Sequence, residues 1–389
     1  MKSIPYGRQS IDRADVREVV KVLRSDWLSQ GPKICEFEEA IAAYCGAKYA
    51  VAVSSGTAAL HLACLTAGLT PGTEAVTTPM TFLATANAVA FTGAKPVFAD
   101  IDGETVNIDP AAIAKQITSK TKAILPVHFA GFPAAMQEID AMASRLGIPV
   151  IEDGCHALGA EYRGHKIGSC QYSAMTVFSF HPVKQITMGE GGCILTNQKK
   201  IYQRLLTLRN HGMVRSEKMK AKYGAWYFEM RELGFNYRIT DIQCALGISQ
   251  LRKSDGFLER RTRIAQVYQK AFASLKSYVR LPVHDDSLRR HAWHLYLLRV
   301  KQESSPVKRR ELYEALRAQG INAHVHYTPL YRHPYYRNKL RLDPHDFPNT
   351  ERYYREALSL PIYPELTGRE LKQICNAVKE VFEPQGVLV

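Results

Sequence analysis

Short apolar runs rich in β-branched residues alternate with helical stretches from Tyr49 to Val183. Tyr49–Val53 reads as a strand that stops at Ser54-Ser55-Gly56-Thr57, and residues 58–67, dense in Ala and Leu, follow as a helix. Glu74–Thr77 predicts a second strand, and a helix follows around 84–91. Residues 96–98, 123–127 and 147–151 predict further strands, the last running out at Glu152-Asp153, and 175–180 and 193–196 complete the set. Strands separated by helices in this way predict βαβ units and an α/β fold with a mainly parallel sheet, helices covering both faces. Functional side chains then belong where strands end and helices begin.

After residue 200 the pattern changes. Residues 201–209 and 241–252 have the spacing of amphipathic helices, and 257–275 that of a charged one. Strand signals at 293–300 and 323–326, with helices at 307–319 and Gly368–Phe382, predict a smaller α+β domain. The expected division is a large domain over 1–250, including an N-terminal pocket segment, and a small one over 251–389.

Composition narrows the function. No apolar stretch of about 18 residues occurs, so no membrane span is expected, and Met1-Lys2-Ser3-Ile4-Pro5-Tyr6 lacks an apolar signal core. The eight cysteines have no paired spacing, which predicts reduced thiols in the cytoplasm rather than disulfides or a metal site. A net charge of +14 favours anionic partners. Its lysines and arginines are spread along the chain without a nucleic-acid motif, which points to a phosphorylated small molecule and away from nucleic acid.

Six sites then carry candidate chemistry. Gly56-Thr57-Ala58 opens a helix directly after a strand, where free N–H groups face an anion and Thr57 adds a hydroxyl; the same residues also suit a plain cap and turn. Phe82 follows another strand and could stack on a flat ring or simply fill the core. Asp153 ends a buried strand and needs a partner, either a cap or a protonated ring nitrogen. His156 stands one turn further on, within reach of a phenolic oxygen, although lone histidines are commonly structural. Lys184 lies on a turn between two apolar runs, in Phe178-Ser179-Phe180-His181-Pro182-Val183-Lys184, where an amine at a fixed point can form a Schiff base with a carbonyl cofactor. Ser179 adds a hydroxyl for a phosphate. A phosphate turn, an aromatic ring, an Asp and a Lys at successive strand ends follow the order of fold-type I pyridoxal-phosphate enzymes.

With these residues and Asp26-Trp27-Leu28-Ser29-Gln30-Gly31-Pro32, Thr78-Pro79-Met80-Thr81-Phe82, Gly189-Glu190-Gly191-Gly192, Gly234-Phe235-Asn236-Tyr237-Arg238 and His326-Tyr327, the chain resembles the DegT/DnrJ family of sugar aminotransferases over essentially its whole length. The resemblance implies a fold-type I transferase using pyridoxal 5′-phosphate. Lys184 would be the catalytic amine, Asp153 would bind the ring nitrogen, and Phe82 would stack on the ring. His156 would stand at the phenolic oxygen, and Gly56, Thr57, Ala58 and Ser179 would hold the phosphate. Asn236 would reach the phosphate of a partner subunit, making a homodimer with shared sites. Tyr6, Asp26, Trp27, Leu28, Ser29, Arg238, His324, Val325, His326 and Tyr327 would line a nucleotide-sugar pocket. The substrates implied are L-glutamate and a UDP-linked 4-keto-6-deoxy-N-acetylhexosamine. The alternatives are another nucleotide-linked 4-keto-6-deoxy sugar, a cyclitol ketone or, remotely, a non-catalytic regulatory role. Gln185 stands where His or Pro is common in the family. Relatives with His in place of the lysine are dehydratases, and Lys184 argues against that reaction.

Overall fold

The computed structural model of the chain describes residues 3–382. Its centre is a sheet of β1 (Tyr49–Val53), β2 (Glu74–Thr77), β3 (Lys95–Phe98), β4 (Thr121–Leu125), β5 (Ile151–Asp153), β6 (Met175–Ser179) and β7 (Gly192–Thr196). A four-stranded part, β1-β7-β6-β5, meets a three-stranded part, β4-β2-β3, through parallel bridges Ile124–Val150 and Val127–Asp153. Every pairing is parallel except those of β7, which runs antiparallel to both β1 and β6. The parallel strands need crossovers, and helices α1 (Arg13–Leu23), α2 (Pro32–Cys45), α3 (Gly56–Thr66), α4 (Leu83–Phe91), α5 (Pro110–Gln116), α6 (Met136–Leu146) and α7 (Lys199–Arg209) flank the sheet in chain order. Strands buried on both faces read as continuous apolar runs; β1, β6 and β7 accordingly contribute Val51, Val53, Met175, Val177, Ile194 and Leu195 to the core, all fully buried.

A second core lies in the C-terminal part. Antiparallel β8 (Val279–Arg280), β9 (Tyr296–Val300) and β10 (Ala357–Leu360) form a sheet in that order. The helices Ser254–Ala271, Arg309–Ala318 and Gly368–Phe382 give its core Tyr268, Leu312, Leu316, Ile374 and Val378. Ile4 belongs to this core, its N–H bonded to the Gly320 carbonyl at 2.9 Å and its carbonyl to the Asn322 N–H at 2.9 Å. That anchor brings Tyr6 beside His324 and His326.

One ion pair inside this region has a large expected effect. Glu356 is fully buried and accepts from Arg299 Nε at 3.0 Å, while Arg299 Nη1 bonds the Gly103 carbonyl at 2.6 Å. Removing one partner of a buried pair leaves the other charge uncompensated. Glu356→Ala is expected to lower the unfolding free energy by about 3–5 kcal/mol, checked by urea denaturation; a loss within error would overturn that reading.

The element pattern departs from expectation in several places. Residues 147–151 were expected as a strand, but Gly147 caps α6 with φ +64° and the strand starts at Ile151. The 323–326 strand is reduced to a single bridge, His324 to Ser359. The 257–275 helix ends at Ala271 and continues as a 3-10 turn from Ala273 to Ser277. Helices α1, α2, α5 and α6 went unread, although α1 carries an Asp12–Asp15 capping box and α2 has Pro32 in its first turn.

Candidate active site

The strand ends converge as the parallel sheet requires. Asp153 closes β5 and is 5 % exposed. Its Oδ1 accepts the Cys155 N–H at 3.1 Å and its Oδ2 the Thr85 hydroxyl at 2.7 Å. Its neighbour Glu152, on the other face of the strand, accepts from His128 Nε2 at 2.7 Å. His128 Nδ1 already takes the Ala134 N–H at 3.0 Å, so the ring proton sits on Nε2. Burial alone would raise the Glu152 pKa, but hydrogen bonds from His128, Ser173 and Thr176 outweigh it and hold the carboxyl below its usual range.

Lys184 hangs in the loop that joins β6 to β7. The Phe180 N–H bonds the Gly191 carbonyl at 2.9 Å, the Met188 N–H bonds the Phe180 carbonyl at 3.0 Å, and the Lys184 N–H bonds the His181 carbonyl at 2.9 Å. These bonds pinch the loop shut and fix the lysine's origin. The Gln185 side chain donates to the His156 carbonyl, tying this loop to the segment after β5. Burial depresses the Lys184 pKa, against the opposing pull of Cys155 and Asp153.

The turn before α3 forms a cradle. A Cβ on Gly56 would lie 2.7 Å from Ser179 Cβ, so only glycine lets the two segments meet. A Cβ on Gly192 would strike the Ser55 carbonyl, which accounts for the glycine that opens β7. Ser55 caps the helix by accepting the Ala58 N–H at 3.1 Å. The Ala58 amide is thereby engaged by Ser55, unlike those of Gly56 and Thr57 at the helix tip.

Aromatic rings and imidazoles close the other side. Phe82, at the mouth of α4, is 55 % exposed, and its ring lies 6.0 Å from that of Tyr327. The Tyr327 hydroxyl stands 3.4 Å from His156 Nε2, and the His156 ring lies 4.2 Å from that of His294. His156 Nδ1 is buried without a protein partner. Burial drives the pKa values of His156 and His294 well below normal, with Lys184 adding to both, and pushes His326 down to about 3 with help from His324 and Lys184. Tyr6 packs on His324 and His326 at 5.4 and 5.2 Å, and Val325 is partly buried between them in sequence.

The remaining expected residues form a separate patch. The Leu28 carbonyl accepts the Asp241 N–H at 3.0 Å and Ser29 bridges Thr240, so Asp26–Ser29 lie exposed at the start of the 241–251 helix. Arg238 Nη1 donates to Asn210 Oδ1 at 2.7 Å. Asn236 is exposed on a loop joined to the cradle by the Ser54 N–H bond to the Tyr237 carbonyl, 3.0 Å. Thr85, His294 and the His128–Glu152 pair were not among the residues read from sequence.

The profile of the DegT/DnrJ/EryC1/StrS aminotransferase family matches residues 9–379. The chain belongs to this family. Among relatives of this aminotransferase, the spore coat polysaccharide biosynthesis protein SpsC of Bacillus subtilis is 41% identical over 382 residues, 98% of this chain and 97% of its own. Among solved structures, Helicobacter pylori PseC, an aminotransferase involved in the biosynthesis of pseudoaminic acid, superposes with a TM-score of 0.90 at 31% identity, covering 98% of this chain and 100% of that one. The putative sugar aminotransferase Spr1654 of Streptococcus pneumoniae, in its PLP form, superposes with a TM-score of 0.90 at 29% identity, covering 98% and 99%. The family's cofactor is pyridoxal 5′-phosphate. The site fits that group on three counts: an exposed Phe82 ring at a strand end, a Gly56–Ser179 cradle with no room for a side chain, and the unpartnered His156 Nδ1.

Proposed function

We propose that this aminotransferase moves the amino group of L-glutamate to C4 of a UDP-linked 4-keto-6-deoxy-N-acetylhexosamine. The product is UDP-4-amino-4,6-dideoxy-N-acetyl-β-L-altrosamine, an intermediate of pseudaminic acid synthesis. The observation that carries this substrate is the end-to-end likeness to PseC, 31% identical with full coverage of that chain. The wall of Tyr6, His324, His326 and Tyr327 beside Lys184 supports it, since neutral imidazoles and phenols are hydrogen-bonding partners for sugar hydroxyls and an N-acetyl group.

When bound, pyridoxal phosphate supplies an aldehyde that takes up amines and a protonated ring that withdraws electrons. Asp153 would hold the ring nitrogen, Phe82 one ring face, and His156 Nδ1 the phenolic oxygen. Gly56 and Thr57 N–H groups, with the Thr57 and Ser179 hydroxyls, would hold the phosphate at the tip of α3. Lys184 Nζ, whose pKa burial depresses, takes the proton from the α-carbon of glutamate in its neutral form. In the second half-reaction it delivers one to C4 of the sugar.

The working unit in this reading is a cytoplasmic homodimer. Trp226 and Leu233 are 78% and 76% exposed, and Trp27, Leu28, Phe228 and Met230 are also exposed, apolar side chains that association would take out of water. The same association would bring Asn236 of one protomer to the phosphate held by the other. No helix among the described residues is long and apolar enough to cross a membrane.

The greater sequence identity to SpsC, 41%, favours a second reading in which the acceptor is a different nucleotide-linked 4-keto-6-deoxy sugar. Purified enzyme, glutamate and a panel of nucleotide-linked ketosugars decide between them, with NMR of the product. Preferred turnover of the UDP-N-acetyl ketosugar to a product of L-altro configuration is expected. Preference for a ketosugar on another nucleotide would replace the first reading by the second.

A further inference from the structure

We propose that Thr85 is a positioning residue for the cofactor, the middle member of a hydroxyl chain running Thr81–Thr85–Asp153. The proposal rests on Asp153 being the partner of the ring nitrogen. The geometry fixes the direction of each hydrogen bond. A carboxylate only accepts, so the Thr85 hydroxyl donates to Asp153 Oδ2 at 2.7 Å. Having spent its proton there, Thr85 Oγ1 accepts from the Thr81 hydroxyl, 3.0 Å away. Both threonines are buried, 3 % and 1 % exposed, so water does not compete for either bond.

An ordinary buried threonine satisfies itself by returning its hydroxyl to a carbonyl three or four residues back. Thr85 instead reaches a side chain 68 positions away in sequence. It does so from the first turn of α4, the same turn that begins at Phe82. One rigid turn therefore carries both the exposed ring at the mouth of the site and the hydroxyl that orients the carboxylate. The Cys155 N–H holds the other oxygen, at 3.1 Å. With one donor on each oxygen the carboxylate cannot rotate, and each oxygen keeps a lone pair for a ring N–H. Donors also stabilise the charged carboxylate, which leaves the shared proton on the ring.

The test is Thr85→Val, which keeps the shape and removes the hydroxyl, with Thr85→Ser as the conservative control. Apoprotein titrated with pyridoxal phosphate, followed by tryptophan fluorescence, is expected to show binding about tenfold weaker in Thr85→Val. Turnover is expected to fall about ten- to hundredfold, the worth of a hydrogen bond to a charged group, with KM for glutamate nearly unchanged. The pH midpoint of the cofactor's visible absorbance should rise by about half to one unit, because a less firmly protonated ring lets the nearby Lys184 linkage keep its own proton to higher pH. Thr85→Ser should restore all three. A purely packing role would lower the melting temperature and leave the absorbance midpoint in place. A folded Thr85→Val with wild-type cofactor affinity and midpoint overturns the proposal, as does failure of Thr85→Ser to restore them. Should Thr85→Val not fold, Thr81→Val removes only the outer hydroxyl: a smaller midpoint shift in the same direction supports the chain, and no shift refutes it. Wild-type apoprotein that binds no pyridoxal phosphate would count against the cofactor reading itself, separately from Thr85.

Discussion

Lys184→Ala is expected to abolish transamination and the visible absorbance of the bound cofactor together. The proton transfers alone account for about 10²–10⁴-fold in rate, and loss of the covalent anchor adds to that. The fold should survive, because the backbone bonds that shape the Phe180–Gly191 loop do not involve the amine. A variant that melts like the wild type, still binds the cofactor weakly and does not turn over fits the assignment. An active variant with an unchanged spectrum refutes it. The pH dependence follows from the same burial. A lysine with a depressed pKa is neutral, and so nucleophilic and basic, at lower pH than the ordinary 10.5. In the apoprotein, capture of pyridoxal phosphate should therefore rise with pH and level off below 10.5, whereas surface lysines level off near it. Small primary amines should partly restore proton transfer in Lys184→Ala, since the base is missing and the pocket around it is not.

How much of this was readable depended on how local the signal was. The strands Tyr49–Val53 and Glu74–Thr77 were read with their observed bounds because an apolar run and its terminating turn lie within a few residues. Gly56, Phe82, Asp153, Ser179 and Lys184 could be picked out because an α/β sheet delivers function at strand ends, a rule that needs only the strand order. Thr85 carried no such mark. Its importance comes from a bond to a residue on another strand, and a threonine in a helix looks the same wherever its hydroxyl points. His294 is similar: its position against His156 depends on the 130–131 loop, where Ala130 takes φ +56° and accepts the His294 N–H at 2.9 Å. The antiparallel course of β7 was equally hidden, since a fully buried strand shows the same composition in either direction. The segment 323–326 misled because local composition does not say whether a ladder partner exists, and only the His324–Ser359 bridge forms.

Asp153→Asn separates the charge of the carboxylate from its shape. The native side chain receives two donors, the Cys155 N–H and the Thr85 hydroxyl. An asparagine has one accepting oxygen, so its amide nitrogen must face one of those donors or the ring nitrogen. Either arrangement sets a donor against a donor, and the fixed negative charge that keeps the ring protonated is gone. Losing one member of a buried, hydrogen-bonded charge pair costs about 2–5 kcal/mol, which predicts a fall in kcat/KM of roughly 30- to 4000-fold. The glutamate half-reaction, followed by stopped-flow absorbance, should show the loss directly, because the electron sink is needed when the α-proton leaves. Asp153→Ala makes room beside the ring nitrogen and distinguishes the two effects of the carboxylate. Reconstituted with N-methylpyridoxal phosphate, whose ring is permanently positive, it should regain part of the lost rate over the same variant with the natural cofactor. Equal rates with both cofactors would mean that Asp153 serves the site by holding the cofactor in place rather than by keeping its ring charged.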